Sequence, residues 1–520
     1  MKRILKSYLI GLVCLIGADF THAQGIEEAV RFSTHNLGGS TRALGSANAI
    51  GAIGGSATAA LINPAGMALN RKSELHIGLN INSNGTQAKY IGSPAQGDIN
   101  IGLGLSNMNL SVFNTMRDEK GKPLIEGLTN LVFSFGYNRH SDYRSSFTFS
   151  GNNTESSFTD FLAESANGTD NQFLNIYGLP YLAFETYLIE DKTAFPDSFS
   201  SAIRSPITNV KQTGVVNRTG SGGDFNLSVA ADFDNTFYLG GGIIIRKQVF
   251  KETFQFTEQD NQPLSDTNDY AGLTYTRYLE TRTGGVALNL GGLVKANDNW
   301  RFGLSYMLPI RLSAKDLYTQ SLTSRFDRNR DPSIPNSTYT RTTPDEDFDG
   351  APDTLSFKYK LITPARLTFS AAYVLGKLGF LSLDVERVNL STAGLRPKDD
   401  PTYLFTDENS AIKSSYVPTY NIRVGGEMTY GKYRFRAGYA YQPSPYKSNS
   451  PSQIKPLNRN YYTIGAGYYH PRYSLNAAIM ITAFTDRFQP YKLDLGRAYY
   501  AAEVKNSFTN IQFGATFVVD

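Results

Sequence analysis

Trp300-Arg301-Phe302-Gly303-Leu304-Ser305-Tyr306-Met307-Leu308-Pro309-Ile310-Arg311-Leu312 places seven apolar residues in phase, at Trp300, Phe302, Leu304, Tyr306, Leu308, Ile310 and Leu312. A strand points successive side chains to opposite faces, so this run has one greasy face and one that carries Arg301, Ser305 and Arg311. The same alternation opens at Leu75, Ile77, Leu79 and Ile81, interleaved with His76, Gly78, Asn80 and Asn82. It recurs at Leu131/Phe133/Phe135/Tyr137, Phe225/Leu227/Val229/Ala231/Phe233, Val286/Leu288/Leu290 and Leu367/Phe369/Ala371/Tyr373/Leu375. It continues at Ile422/Val424/Met428, Phe435/Ala437/Tyr439/Tyr441 and Ile511/Phe513/Ala515/Phe517/Val519.

The connections alternate as regularly as the side chains. Short turns fall at Asp232 to Asn235, Asn297 to Asn299, Gly376-Lys377, Gly431-Lys432 and Pro471-Arg472, with a longer one near Arg117 to Lys122. Long polar or glycine-rich connections fall near 84–97, 145–221, 258–268, 315–352, 392–415, 444–459 and 486–504. Segments of roughly ten residues, joined by short turns on one side and long loops on the other, are what an outer-membrane barrel requires. About fourteen crossings follow, and an even number returns the chain to the side it started from. A secreted β-sandwich or propeller also uses many strands, but neither needs this loop asymmetry. The 32 tyrosines against one tryptophan suit the aromatic girdles of a barrel. No segment after the leader reaches the ~18 consecutive apolar residues of a spanning helix. The expectation is an all-β membrane-spanning antiparallel barrel over residues 73–520.

Lys2, Arg3 and Lys6, the apolar run Tyr8 to Gly17, and Thr21-His22-Ala23 before Gln24 read as a secretory signal peptide, residues 1–23. The single cysteine, Cys14, lies inside the apolar run with Gly11 three residues before it, which disfavours a lipid anchor. Once the leader is removed, no thiol remains for a disulfide or a thiolate metal site. The 50 basic and 46 acidic residues nearly balance, and nothing calls for nucleic acid. The expected address is the cell outer membrane of a Gram-negative type cell, among lipid, as a monomer.

Residues 24–72 are unlike the rest. Gly25 to Leu69 is rich in Gly, Ala and Ser and ends in Asn63-Pro64-Ala65-Gly66-Met67. Small residues let backbone pack tightly, and Ala57, Ala59, Ala60, Leu61 and Ile62 argue for burial over a free tail. A barrel of this strand number leaves a lumen that such a segment could plug as a hatch. It is too short for the larger plug of an energy-coupled transporter.

In these residues the chain resembles the FadL-type outer-membrane transporters of long-chain fatty acids and other hydrophobic compounds. The resemblance runs through Asn36-Leu37-Gly38-Gly39, Arg42-Ala43-Leu44-Gly45 and Ala57 to Met67, where Asn63, Pro64, Ala65 and Gly66 are similar to the family's hatch signature. It returns at Phe357 to Arg366 and at Arg436 to Tyr441 with Pro443 and Pro445. The resemblance implies a fourteen-stranded barrel with an N-terminal hatch that carries hydrophobic molecules by passive diffusion. It also implies a kink in the third strand that opens the wall sideways, for which Gly136 is the candidate residue.

The long second loop offers a capture surface. Ser157 with Asp160 reads as a capping box, followed at helical spacing by Phe158, Phe161, Leu162 and Ala166 and ending near Gly168. A second helix begins at Pro180 and carries Tyr181, Leu182, Phe184, Tyr187, Leu188 and Ile189. Exposed apolar helices are costly unless they bind something or pack together to cap the barrel, and the two readings are compatible. Phe158, Phe161, Leu162, Tyr181, Leu182, Phe184 and Leu188 are the candidate ligand-binding residues.

Asp345, Asp347, Asp349 and Asp353, with Gly350 at position six, match the oxygen-rich spacing of a calcium loop, although Ser356 stands where a bidentate Glu would complete it. An acidic solvated loop reads equally from these residues, and no cofactor is required. Enzyme chemistry is not expected. His35, His76, His140 and His470 have no metal-type spacing, no Gly-x-Ser-x-Gly elbow occurs, and the glycines near Gly51 to Gly55 lack the Lys-Ser/Thr of a phosphate loop. The function expected is a channel for passive uptake of hydrophobic molecules such as fatty acids or hydrocarbons. The alternatives are a related barrel serving as shuttle or anchor in protein secretion, a general porin, and a structural barrel or adhesin.

Overall fold

The computed structural model of the chain describes residues 22–519 apart from 35, 57, 193–194, 204–208, 263–268, 329–336, 344–354, 400, 448–457 and 494–499. The expected signal segment, apart from its last residues, and the calcium-like Asp345, Asp347, Asp349 and Asp353 lie outside the described residues, as do His35 and Ala57.

Fourteen antiparallel crossings close into a barrel, the first strand pairing with the last from Ser73↔Val519 to Lys89↔Glu503. The chain order is β1 (Ser73–Lys89), β2 (Gln96–Thr115), β3 (Leu128–Asp142 and Ser145–Asn153), β4 (Val210–Phe233), β5 (Phe237–Asp260), β6 (Tyr270–Lys295) and β7 (Trp300–Met307 and Arg311–Phe326). Then follow β8 (Leu355–Ile362 and Arg366–Val374), β9 (Gly379–Asn389 and Gly394–Pro397), β10 (Pro418–Tyr430), β11 (Tyr433–Gln442), β12 (Arg459–Tyr469), β13 (Tyr473–Phe488) and β14 (Ala502–Val519). Closure pairs nearly every strand on both sides, which a hydrocarbon environment demands because it offers backbone groups no other partner. The short turns fall where the sequence places them. Asp234 and Asn235 both take positive φ between β4 and β5, a conformation that short Asp and Asn side chains tolerate best after glycine.

The alternating rows sort as the residues require. Ile101 and Leu103 of β2 are 71% and 74% exposed, and Leu304, Phe369, Ile464 and Phe513 continue the greasy outer belt. The inward row is polar and buried, with Ser106, Asn107, Asn109, Ser134, Asn138, Asn226 and Ser228. A greasy outside around a polar inside places lipid, not water, against the wall.

The strands outrun their expected length. β6 spans 26 residues, against roughly ten for a membrane crossing. Much of what reads as outer loop at 84–97, 210–221 and 315–326 is paired strand. Above the membrane the outer face loses its lipid and the inner face packs against loop aromatics, so the alternation fades while the backbone ladder persists.

Inside the wall lie α1 (His22–Ser33), α2 (Thr41–Gly45), α3 (Ala59–Ile62) and a tight turn Pro64–Leu69. The second outer loop folds as α4 (Phe158–Ala166) and α5 (Leu179–Glu185). The capping box of Ser157 and Asp160 is present, and Pro180 sits in the first turn of α5. Yet α5 ends before Tyr187, Leu188 and Ile189. Tyr187 turns left-handed at φ 56, and its N–H and that of Leu188 bond back to Phe184 O at 3.0 Å and Ala183 O at 2.9 Å. This crossed pair of bonds terminates the helix and sends Ile189 into a short strand, Ile189–Lys192.

Leu304→Arg places a charge in the lipid belt. It is expected to cost about 2–4 kcal/mol in refolding free energy if Leu304 lies near the bilayer midplane, measured by denaturant titration in lipid vesicles.

Candidate functional site

Asn63 closes the hatch against the wall. Its Nδ2 donates to Gly51 O at 2.8 Å and to Gly292 O at 3.1 Å, while its Oδ1 accepts from Ala65 N–H at 3.2 Å and caps the turn Pro64–Leu69. The wall is bare glycine where these atoms arrive. A Cβ on Gly291 would lie 2.1 Å from Asn63 Oδ1, and one on Gly303 would lie 2.8 Å from both Asn63 Nδ2 and Gly51 O. Gly66 packs in turn on Gly54. Asn63, Pro64 and Ala65 therefore share one buried contact between hatch and barrel, at Gly291, Gly303 and Gly240, while Gly66 packs within the hatch.

The rest of the hatch is satisfied by inward-facing polar side chains. Thr463 Oγ1 accepts from Ala47 N–H and donates to Gly45 O, both at 3.1 Å. Asp384 accepts from Gly51 N–H at 3.1 Å, Asn289 donates to Ala60 O at 3.0 Å, Ser305 to Ile62 O at 2.6 Å and Gln512 to Gly39 O at 2.7 Å. The hatch is thus hydrogen-bonded around the lumen and not merely wedged in it. At α1, Tyr359 donates to the Glu28 carboxylate, Arg366 to Ser33 O, and the Arg31 guanidinium lies 3.8 Å over the Phe250 ring.

Above the hatch is a cavity of about 220 Å³ lined by Phe250, Tyr143, Met480 and Phe484 together with Arg31, Arg218 and Arg459. A second, of about 110 Å³, lies lower, between Leu37, Leu61, Ile62 and Met307 on one side and Arg139, Arg366, Glu386 and Arg423 on the other. Both are amphipathic, with charged groups held in pairs such as Arg366–Glu386 at 2.9 Å and Arg218–Glu252 at 2.7 Å.

Beside the larger cavity the wall parts. β2 and β3 stay paired only up to Asn107↔Asn138, and beyond that point β2 pairs with β1 alone among the described residues. The outer segment of β3 leans inward across β1 and β2, where Thr86 donates to Ser146 O and Asn84 to Arg144 O at 2.9 Å. Asp142 braces the outer segment of β3, taking one backbone and two guanidinium bonds from Arg144 at 3.1, 3.0 and 2.6 Å, one bond from Asn82 of β1 at 2.6 Å, and an ion pair from Arg139 at 3.1 Å. The two guanidiniums crowd the bare backbone of Gly102 and Gly104. The break is therefore not at Gly136, which keeps regular register with Asn109 and Asn226. Gly136 is needed because Asn109 Oδ1 would stand 1.9 Å from a Cβ there, and the register slips between Arg139 and Ser141 instead.

The seven loop residues meet in one apolar cluster. Phe158, Leu162, Leu182 and Leu188 are fully buried, with Phe161, Tyr181 and Phe184 half-buried against them. Phe158 packs on Phe256 and Tyr275 with ring centres 5.3 and 5.5 Å away. The cluster caps the barrel, and the large apolar side chains left exposed among the described residues of this loop are Phe173, Ile176 and Tyr177. Glu258 pins the cap, accepting from Phe158 N–H at 2.9 Å at the start of α4 and from Gln212 at 2.8 Å. Sequence reading misses Glu258 and the glycine contacts, because their partners are tens to hundreds of residues away, and it misses Asp142 because nothing in Arg139 to Arg144 marks where the strand pairing ends.

A closed fourteen-strand barrel, plugged by its own N-terminal segment and capped by an apolar loop cluster, defines the class. No family model and no curated protein sequence matches the chain. Among solved structures it is similar to a Pseudomonas aeruginosa FadL homologue, at 14% identity over 93% of this chain and 100% of that one, with a TM-score of 0.55. It is similar more loosely to the CymD monoaromatic hydrocarbon channel, at 12% identity over 94% and 99% with a TM-score of 0.48. The Ralstonia pickettii toluene transporter TbuX stands at 12% identity over 94% and 100%, with a TM-score of 0.45. At these identities the likeness establishes the fold.

Burial and the neighbouring Asp316 carboxylate push Glu28 well above its ordinary 4.5, and burial raises Glu27 as well. Glu28 Oε1 and Asp316 Oδ1 are both buried without a donor, which one proton shared between them would supply. A raised folded-state value means this stabilisation is full below about 4.5 and is lost as pH rises through the raised value. Hydrogen exchange of α1, corrected for intrinsic rate, is expected to be slower at pH 5 than at pH 8, and Glu28→Gln to shrink the difference.

Proposed function

We propose that the protein is an outer-membrane channel for passive uptake of hydrophobic molecules, exported through a cleaved signal peptide and acting without a catalytic group. The observation that carries this reading is the pairing of a lipid-facing barrel with a hatch hydrogen-bonded across its lumen below an amphipathic cavity. An apolar molecule crosses the polar outer leaflet poorly. It would first meet the exposed Phe173, Ile176 and Tyr177, then pass the aromatic cap built by Phe158, Phe161, Leu162, Tyr181, Leu182, Phe184 and Leu188.

From the cavity two ways lead on. Sideways, the outer segment of β3 is held to β2 through Ser146, which donates to the Asp98 carboxylate and accepts from Asn100 at 2.8 Å, while the Asp142 ion pairs brace β3 itself. Downward, the hatch is held by hydrogen bonds to its peptide groups, those from neutral side chains each worth about 1 kcal/mol net, and by the Arg42–Glu427 ion pair at 3.4 Å. On this reading cargo takes the downward route, with Asn63 and Pro64 setting the hatch geometry that must yield.

A general porin is disfavoured because the cavities above and beside the hatch are small, about 220 and 110 Å³, and the hatch is hydrogen-bonded to the wall around the lumen. Purified protein in lipid vesicles is expected to speed entry of a long-chain fatty acid and of toluene while leaving vesicle swelling in small sugars unchanged. Sugar-driven swelling without apolar uptake would make it a porin. Neither activity, with a secreted protein copurifying, would make it a secretion shuttle.

A further inference from the structure

Beneath the hatch, at the turn side of the barrel, a vestibule of about 910 Å³ opens. Arg42, Arg71, Lys295, Arg301, Lys377 and Arg434 line it, with Glu427 the one carboxylate among its described lining residues. Most of these cations are engaged. Arg42 lies 3.4 Å from Glu427 and donates to Gly55 O at 2.9 Å, Arg71 pairs with Asp232 at 3.0 Å, and Lys295 pairs with Asp298 at 3.0 Å. Arg301 is different. Its guanidinium makes no hydrogen bond or ion pair among the described residues, and its Nε is buried without a partner.

An arginine half-withdrawn from water and left unpaired is costly unless an anion meets it. The planar fork presents several donors suited to a carboxylate or phosphate. Apolar side chains share the same wall, with Ile53 and Leu69 from the hatch and Val374 and Phe380 from the barrel. A cationic fork beside an apolar surface matches one class of ligand, an apolar chain ending in an anionic head. A neutral hydrocarbon gains nothing from it.

We propose that the vestibule is an exit site for anionic amphiphiles, in which Arg301 takes the carboxylate or phosphate head of a molecule leaving the hatch. This rests on the uptake reading above and narrows it, because it makes carboxylated chains preferred cargo over neutral molecules of equal length. The excess positive charge at the mouth would also draw the anion onward from the cavity.

The test compares uptake of a long-chain fatty acid and the fatty alcohol of the same length into protein-loaded vesicles, for the wild type, Arg301→Gln and Arg301→Glu. The expected result is a roughly fivefold loss of the wild-type acid-over-alcohol preference in Arg301→Gln, a larger loss in Arg301→Glu, and unchanged alcohol uptake. High salt should erode the wild-type preference. Equal changes for acid and alcohol would make Arg301 structural and overturn the proposal, as would an unchanged preference in folded variants. Wild-type protein that carries neither compound would instead overturn the uptake reading. Inorganic phosphate at millimolar concentration, added inside the vesicles, separates the sources. Inhibition of acid uptake supports a site that reads the head alone, whereas no inhibition supports one that needs the attached chain.

Discussion

Asn63 can reach Gly51 O and Gly292 O only because the wall facing it carries no side chain at Gly291 and Gly303. The same close approach recurs where Gly425 and Gly438 face the backbone of Ser46 and Ala47. Beyond the twelve-residue α1 the plug holds only one-turn helices and tight turns, so many of its peptide groups find no partner in regular structure. Here the wall supplies the missing partners through Thr463, Asp384, Asn289, Ser305 and Gln512, and supplies the room through glycine. Neutral bonds of this kind are individually weak, so the contact is specific in shape while staying reversible.

Charge is used differently. Fully ionic contacts brace the wall at Asp142 between Arg139 and Arg144 and at Glu252 between Arg218 and Arg277, and one, Arg42 with Glu427, joins the hatch to the wall. Breaking one partner of a buried pair strands the other, which makes such contacts stiff.

Much of the barrel was legible in the chain because lipid on one side and polar lumen on the other impose a period of two on every crossing. Trp300 to Tyr306 shows it on the outer face, but past the break between Met307 and Arg311 the phase reverses, Ile310 and Leu312 being buried and Arg311 exposed, so the seven apolar residues do not share one face. Ser157 with Asp160 and the proline at the start of α5 were also readable, since caps are local chemistry. The end of α5 was not, because a left-handed Tyr187 leaves no mark that glycine would leave. Nor was the break in β3. Gly136 looked like the weak point, but glycine there answers to Asn109 across the strand, and the slip belongs to Arg139, Ser141 and Asp142. Contacts between residues far apart in sequence decide such features, and alternation is blind to them.

The central claim is that cargo leaves past the hatch. A Cβ on Gly514 of β14 would lie 3.2 Å from Thr41 Cβ of the hatch, so cysteines at these two positions, in a chain whose one cysteine is Cys14 of the expected leader, would lock the hatch to β14 when oxidised. Vesicle uptake of a fluorescent apolar compound by this double variant, oxidised and then reduced, is the most direct measurement. The account predicts uptake abolished in the oxidised form and restored by reductant. Undiminished uptake with the hatch locked would contradict it and assign the traffic to the gap between β2 and β3.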